Sequence, residues 1–184
     1  MSARIAPAEA PFPEAVQAQL DKLMPPGVPP LALFTTLARD ERLFARFMGG
    51  GLLDKGHLTL RQRELVIDRI TARCGCEYEW GVHVAFYGER VALTEAENRS
   101  IVHGGPEDAC WSEPSEQLIL RLCDALDANA DIDDALWAEL SEHFAEEALL
   151  EMMMLCGFYR VVSYVANAAR IPLEAFGARF PAKG

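Results

Sequence analysis

The chain has 184 residues, 51% hydrophobic and 24% charged, with 13 Gly and 11 Pro. That mixture supports one domain with a sizeable core and excludes disorder, collagen-like repeats and a disulfide scaffold. Seventeen Lys and Arg against 28 Asp and Glu leave a net charge of −11. Such a surface repels phosphate backbones, and no basic cluster interrupts it, so no nucleic-acid partner is expected.

The most apolar stretch, Met152 to Tyr159, runs straight into Arg160 and falls far short of the ~20 residues that cross a bilayer. No membrane association is therefore expected. The opening Met-Ser-Ala-Arg-Ile-Ala-Pro has no apolar run of the kind a secretory leader needs. Five cysteines at irregular spacing, in a chain large enough not to need staples, predict free thiols and a cytoplasmic location.

The first thirty residues read as a Pro-rich arm with one short helix. Ala6 to Pro13 is extended, Glu14 to Met24 is helical, and Pro25 to Pro30 is a stiff break. Residues 31–184 read as a single domain. From Leu31 to Met48 the apolar residues Leu33, Phe34, Leu37, Leu43, Phe44 and Phe47 recur at helical spacing, and Gly49-Gly-Gly51 ends the pattern. Thr59-Leu-Arg-Gln62 has the form of a capping box and predicts a helix from about Leu60 to Arg73. After a joint at Cys74-Gly75, a further helix is expected over Cys76 to Arg90. Thr94-Glu-Ala-Glu97 is a second capping box, opening a short helix that ends before Gly104.

Downstream, Pro114 to Asn129, Asp133 to His143 and Glu146 to Ala169 carry helical stripes, the last being the longest. Gly157 inside that last stripe predicts a backbone passing close by. No alternating β-branched run occurs. The class is all-α: a single-domain bundle of about seven helices.

Polar residues suited to chemistry gather between Arg61 and His83. On a helix started at Cys76, Cys76, Glu79, Trp80, His83 and Tyr87 share one face. Glu and His would be odd in a core stripe, and Trp and Tyr would be wasted on a solvated one, so a half-buried pocket wall is expected. Glu79 and His83 stand at i, i+4, close enough to touch. A carboxylate beside an imidazole orients it and raises its basicity, as general acid–base catalysis requires. A surface ion pair is the commoner reason for that spacing; the neighbouring thiol and indole favour the pocket. Glu64 supplies a second carboxylate, and Arg61 or Arg63 a cation for a substrate carboxylate.

Other candidates are weaker. Cys74-Gly-Cys76 could close only a strained disulfide. Cys74, Cys76 and His83 lack a fourth ligand and the paired spacing of a metal site. Cys110, Cys123 and Cys156 read as small apolar core residues. Without a Gly-rich loop after a strand, no nucleotide cofactor is expected.

Three strings carry a family resemblance: Arg61-Gln-Arg-Glu-Leu-Val-Ile67, Cys74-Gly-Cys-Glu-Tyr-Glu-Trp-Gly-Val-His83 and Val91-Ala-Leu-Thr-Glu-Ala-Glu97. Together they resemble the carboxymuconolactone decarboxylase and alkylhydroperoxidase D-like superfamily, over roughly Leu31 to Ile101. The peroxidase branch has Glu, eleven residues, Cys, two residues, Cys, three residues, His. Glu64, Cys76 and His83 fall on that frame, but Glu79 stands where the second cysteine belongs. Cys76 thus lacks the partner with which that motif forms its redox disulfide. The decarboxylase branch carries Glu, three residues, His, which Glu79 and His83 match.

The resemblance implies a shared helical fold and homo-oligomers. The expected function is acid–base chemistry on a small organic acid or lactone. Glu64, Glu79 and His83 would carry it, in a pocket walled by Arg61, Trp80 and Tyr87, with no metal and no cofactor. The alternative is a thiol-dependent peroxidase in which Cys76 is activated by His83 and Glu64; a third reading is a helical oligomer without chemistry.

Overall fold

The computed structural model describes residues 2–24 and 27–183; Pro25 and Pro26 of the expected stiff break lie outside the described residues. Nine helices run through the described residues: α1 (Glu14–Leu23), α2 (Ala32–Leu37), α3 (Glu41–Met48), α4 (Leu60–Arg73), α5 (Glu77–Tyr87), α6 (Glu95–His103), α7 (Pro114–Asn129), α8 (Asp134–His143) and α9 (Glu146–Ala169). No strand occurs among them. The all-α class read from the sequence is therefore the observed one.

The helix count exceeds the expected seven partly because the Leu31–Met48 stretch is two helices. Asp40 accepts a hydrogen bond from the Leu43 amide at 2.8 Å and so starts α3 afresh. Both capping boxes form. The Thr59 amide donates to the Gln62 side chain at 2.9 Å, and the Thr94 amide to Glu97 at 2.7 Å.

α4 is the central element, packed on α5, α6, α7 and α9. Leu65, Val66, Ile67 and Ile70 are sealed in the core with Ile119, Leu120, Leu149, Met152 and Leu155. α9 is long and apolar enough to cross a membrane by length and composition, but its inner row packs into this core. Buried Arg69 ties α4 to α6 and α7. It donates to both carboxylate oxygens of Asp124 at 2.7 Å, and to the carbonyls of Ser100, Ile101 and Gly104 at 3.1, 2.7 and 3.2 Å.

α1 to α3 form a smaller cluster around Val16, Leu20, Ala38 and Phe44. The N-terminal arm is docked: the Arg4 amide bonds the Ala169 carbonyl and the Ala8 amide that of Thr35. The C-terminal tail lies along α5. The Ala178 amide donates to the Gly81 carbonyl at 2.9 Å, and the Phe180 amide to Glu77 at 2.9 Å. A methyl group at position 81 would overlap the Ala178 carbonyl, which is why glycine stands there.

The close backbone expected at Gly157 is absent: nothing within this chain would meet a side chain there. Gly157 instead lies on the outer face of α9 with Leu150, Met154, Val161 and Tyr164, each at least half exposed.

Candidate active site

A cavity of about 330 Å³ opens between α5, α9 and the α1–α3 cluster. Its walls are mainly apolar: Leu31, Leu33, Phe34, Phe47, Phe86, Phe158 and Val162. The polar groups on it are Glu79, His83, Tyr87, Arg90 and Tyr159. Glu79, His83 and Tyr87 are one i, i+4, i+8 row of α5, so the helix aims all three at the same space.

His83 is held from two sides. Its Nδ1 is 2.7 Å from Glu64 Oε2, and its Nε2 is 3.4 Å from Glu79 Oε1. Glu64, fully buried on α4, also accepts from the Arg63 guanidinium at 2.7 and 2.9 Å, and Arg63 reaches the Leu53 carbonyl. Burial pulls the imidazole toward the neutral form, but Glu64 and Glu79 outweigh it and push His83 up to about 10. At neutral pH the ring is an imidazolium. Tyr159 presents its ring edge-on to His83 at 5.1 Å, and the Tyr87 ring centroid lies 5.6 Å away.

Two features leave proton-handling capacity unused. Glu79 Oε2 is buried with no hydrogen-bond partner, and so are both oxygens of Asp68. Burial, then the neighbouring Glu64 charge, holds the Asp68 carboxyl well above the usual carboxylate range. Asp68 was not among the sequence candidates. Its signal is a carboxylate four residues after Glu64, directly behind the apolar Leu65-Val66-Ile67. Tyr159 gave no such signal, since an aromatic in the inner row of a long helix reads as core.

Three expected site residues stand elsewhere. Arg61 is consumed in a structural junction, donating to Glu116 at 2.6 Å, to Glu97 at 2.5 Å and to the Val91 carbonyl at 2.8 Å. Trp80 does not line the cavity; it is buried against Phe180 of the tail, with ring centroids 5.1 Å apart. Cys76 is also off the cavity and fully buried, and burial pushes its thiol up to about 11. The cause is local: Cys76 is the N-cap of α5, with φ −91 and ψ 78, so the helical row begins after it. Gly75, at φ +61, makes the left-handed joint before it.

All five cysteines are free. Cys123 and Cys156 are buried with their sulfurs 3.7 Å apart, whereas Cys110 is only half-buried, against the core position expected for it.

Residues 41–103, α3 through α6, match the carboxymuconolactone decarboxylase family. The superfamily resemblance drawn from the three sequence strings holds. None of the curated proteins matches the chain. An uncharacterized peroxidase-related protein with an alkylhydroperoxidase AhpD core, from Ralstonia eutropha JMP134, superposes with a TM-score of 0.80 at 17% identity, covering 93% of each chain. A peroxidase-related protein from Silicibacter sp. TM1040 gives 0.77 at 17% identity, over 94% of this chain and 92% of the other. The debrominase Bmp8 gives 0.70 at 17% identity, over 94% and 92%. The fold is alkylhydroperoxidase D-like.

Proposed function

We propose that this protein is an enzyme that runs general acid–base chemistry on a small, largely apolar organic acid or lactone. The observation that carries the reading is the pairing, on one cavity wall, of a His83 imidazolium with a Glu79 carboxylate whose second oxygen has no partner. In this reading Glu79 takes a proton from substrate carbon or from water. His83 stabilises the negative charge that develops on substrate oxygen and returns a proton, while Glu64 and Arg63 hold the ring. The apolar walls exclude water and strengthen those charges. The chemistry needs no cofactor and suits a reducing cytoplasm.

A thiol-dependent peroxidase is the second reading, favoured by the peroxidase-related names of two structural neighbours. The sealed position of Cys76 speaks against it, since reactivity follows thiolate character and access.

A nitrogen-detected NMR titration of the His83 ring tests the acid–base reading. The ring is expected to stay doubly protonated at pH 8 and to lose its proton near 10. A midpoint near the ordinary histidine value of about 6.5 would remove the proton donor from the scheme.

The proposed partner is a second copy of the chain. Leu150, Met154, Val161 and Tyr164 form an apolar seam on α9 around Gly157, whose missing side chain lets a second α9 approach closely. Light scattering at micromolar concentration is expected to give a multiple of the 20.3 kDa chain mass; a monomer mass would refute this.

A further inference from the structure

The expected substrate-holding arginine, Arg61, is not at the cavity, but another arginine is. Arg90 follows α5 at the cavity wall, with its guanidinium carbon 5.3 Å from the Tyr87 ring centroid. Arg61, Arg63, Arg69, Arg121 and Arg160 each pair with a carboxylate. Arg90 makes no ion pair or hydrogen bond with any described residue. Among the described residues it is, besides His83, the one cationic group on the cavity, and the two differ in balance. Glu64 is matched by Arg63 and Glu79 by His83, so the inner wall is close to neutral. Arg90 is an uncompensated positive charge on a chain with net charge −11.

We propose that Arg90 is the anion anchor of this site, and that its ligand is an amphiphilic acid: an apolar, ring-sized body carrying one carboxylate. The proposal rests on the acid–base reading for what happens at the inner end, but not for binding. An anion entering the cavity finds its free cation at Arg90, because the charges of the inner wall are already paired with one another. A guanidinium stacked on an aromatic ring keeps its N–H edge free for bidentate carboxylate bonds. The rest of the ligand then lies on Phe34, Phe47, Phe86 and Phe158.

This orientation has a chemical consequence. The Tyr87 ring lies between the two functional ends, 5.3 Å from Arg90 and 5.6 Å from His83. The carboxylate gripped by Arg90 is therefore a handle. The bond that reacts sits about one ring away, at the end of the ligand facing Glu79 and His83.

Calorimetric titration at pH 7 and low salt with 3-phenylpropionate and its neutral isostere 3-phenylpropionamide tests the assignment. The wild type is expected to bind the acid about 10- to 100-fold more tightly than the amide. Arg90→Gln is expected to abolish that preference and leave amide binding within about twofold. Arg46→Gln, which removes an exposed arginine that does not line the cavity, is expected to preserve it. Equal affinities for the two ligands, no binding of either, a preference surviving Arg90→Gln, or one lost equally in Arg46→Gln overturns the proposal. The preference is read without turnover. A His83 midpoint near 6.5 with the preference intact would therefore sink only the acid–base reading, and the converse would sink only the anchor.

Discussion

His83→Gln is expected to lower kcat/KM for the lactone or carbon-acid substrate by about 10²–10⁴-fold, the usual worth of a positioned acid or base. Glutamine can hydrogen-bond Glu64 but cannot carry the proton or the positive charge. Cys76→Ser, at a sealed position off the cavity, is expected to stay within a few-fold. The same His83 variant has a stability signature. Histidine's folded value, about 10, lies above its unfolded value of about 6.5. The contribution of its charge is thus fully present below 6.5 and is lost as pH rises through 10. Urea denaturation should show the variant less stable by about 3–5 kcal/mol at pH 6, where the buried Glu64 and Glu79 lose the positive charge of the ring between them. The deficit should shrink toward pH 10. A constant deficit across that range would mean the ring is neutral in the folded protein.

Arg69→Leu is the largest stability effect expected outside the site, about 3–5 kcal/mol. The side chain is 1% exposed and meets three carbonyls at the end of α6 as well as Asp124. Its removal takes the charged donor from the Ile101 and Gly104 carbonyls and leaves Asp124 with Arg73 alone, at 3.4 Å. For a chain of this length the loss lowers Tm by roughly 10 °C. Arg121→Leu is the matched control. Its pair with Glu139 is solvent-exposed, so the change should stay within about 1 kcal/mol. Calorimetric melting of the two variants separates a buried junction from a surface ion pair; similar losses would refute the distinction.

What was legible in the sequence was local. Thr59 with Gln62, and Thr94 with Glu97, announce two helix starts because each cap is satisfied within four residues. Glu79 and His83 announce themselves because four residues is one helical turn. The rest depends on where a helix truly begins and on what comes from far along the chain. Counting from Cys76 puts Trp80 on the cavity row; with Cys76 outside the helix, the row runs Glu79, His83, Tyr87, and Trp80 turns to Phe180. Arg61 looks like a substrate ligand until Glu116, 55 residues on, claims it. The roof over the site comes from α1 to α3, and the tail on α5 has no periodicity to read.

The most direct test of the central claim, that the Glu79–His83 pair and not the Cys76 sulfur is the chemical centre, is hydroperoxide consumption. Purified wild type and Cys76→Ser are compared, using cumene hydroperoxide with a dithiol reductant. A sealed thiol pushed up to about 11 and lacking a cysteine at position 79 predicts slow consumption, not saturating with peroxide and equal in the two proteins. Fast, saturable consumption abolished by Cys76→Ser would contradict the account and make the protein a thiol peroxidase.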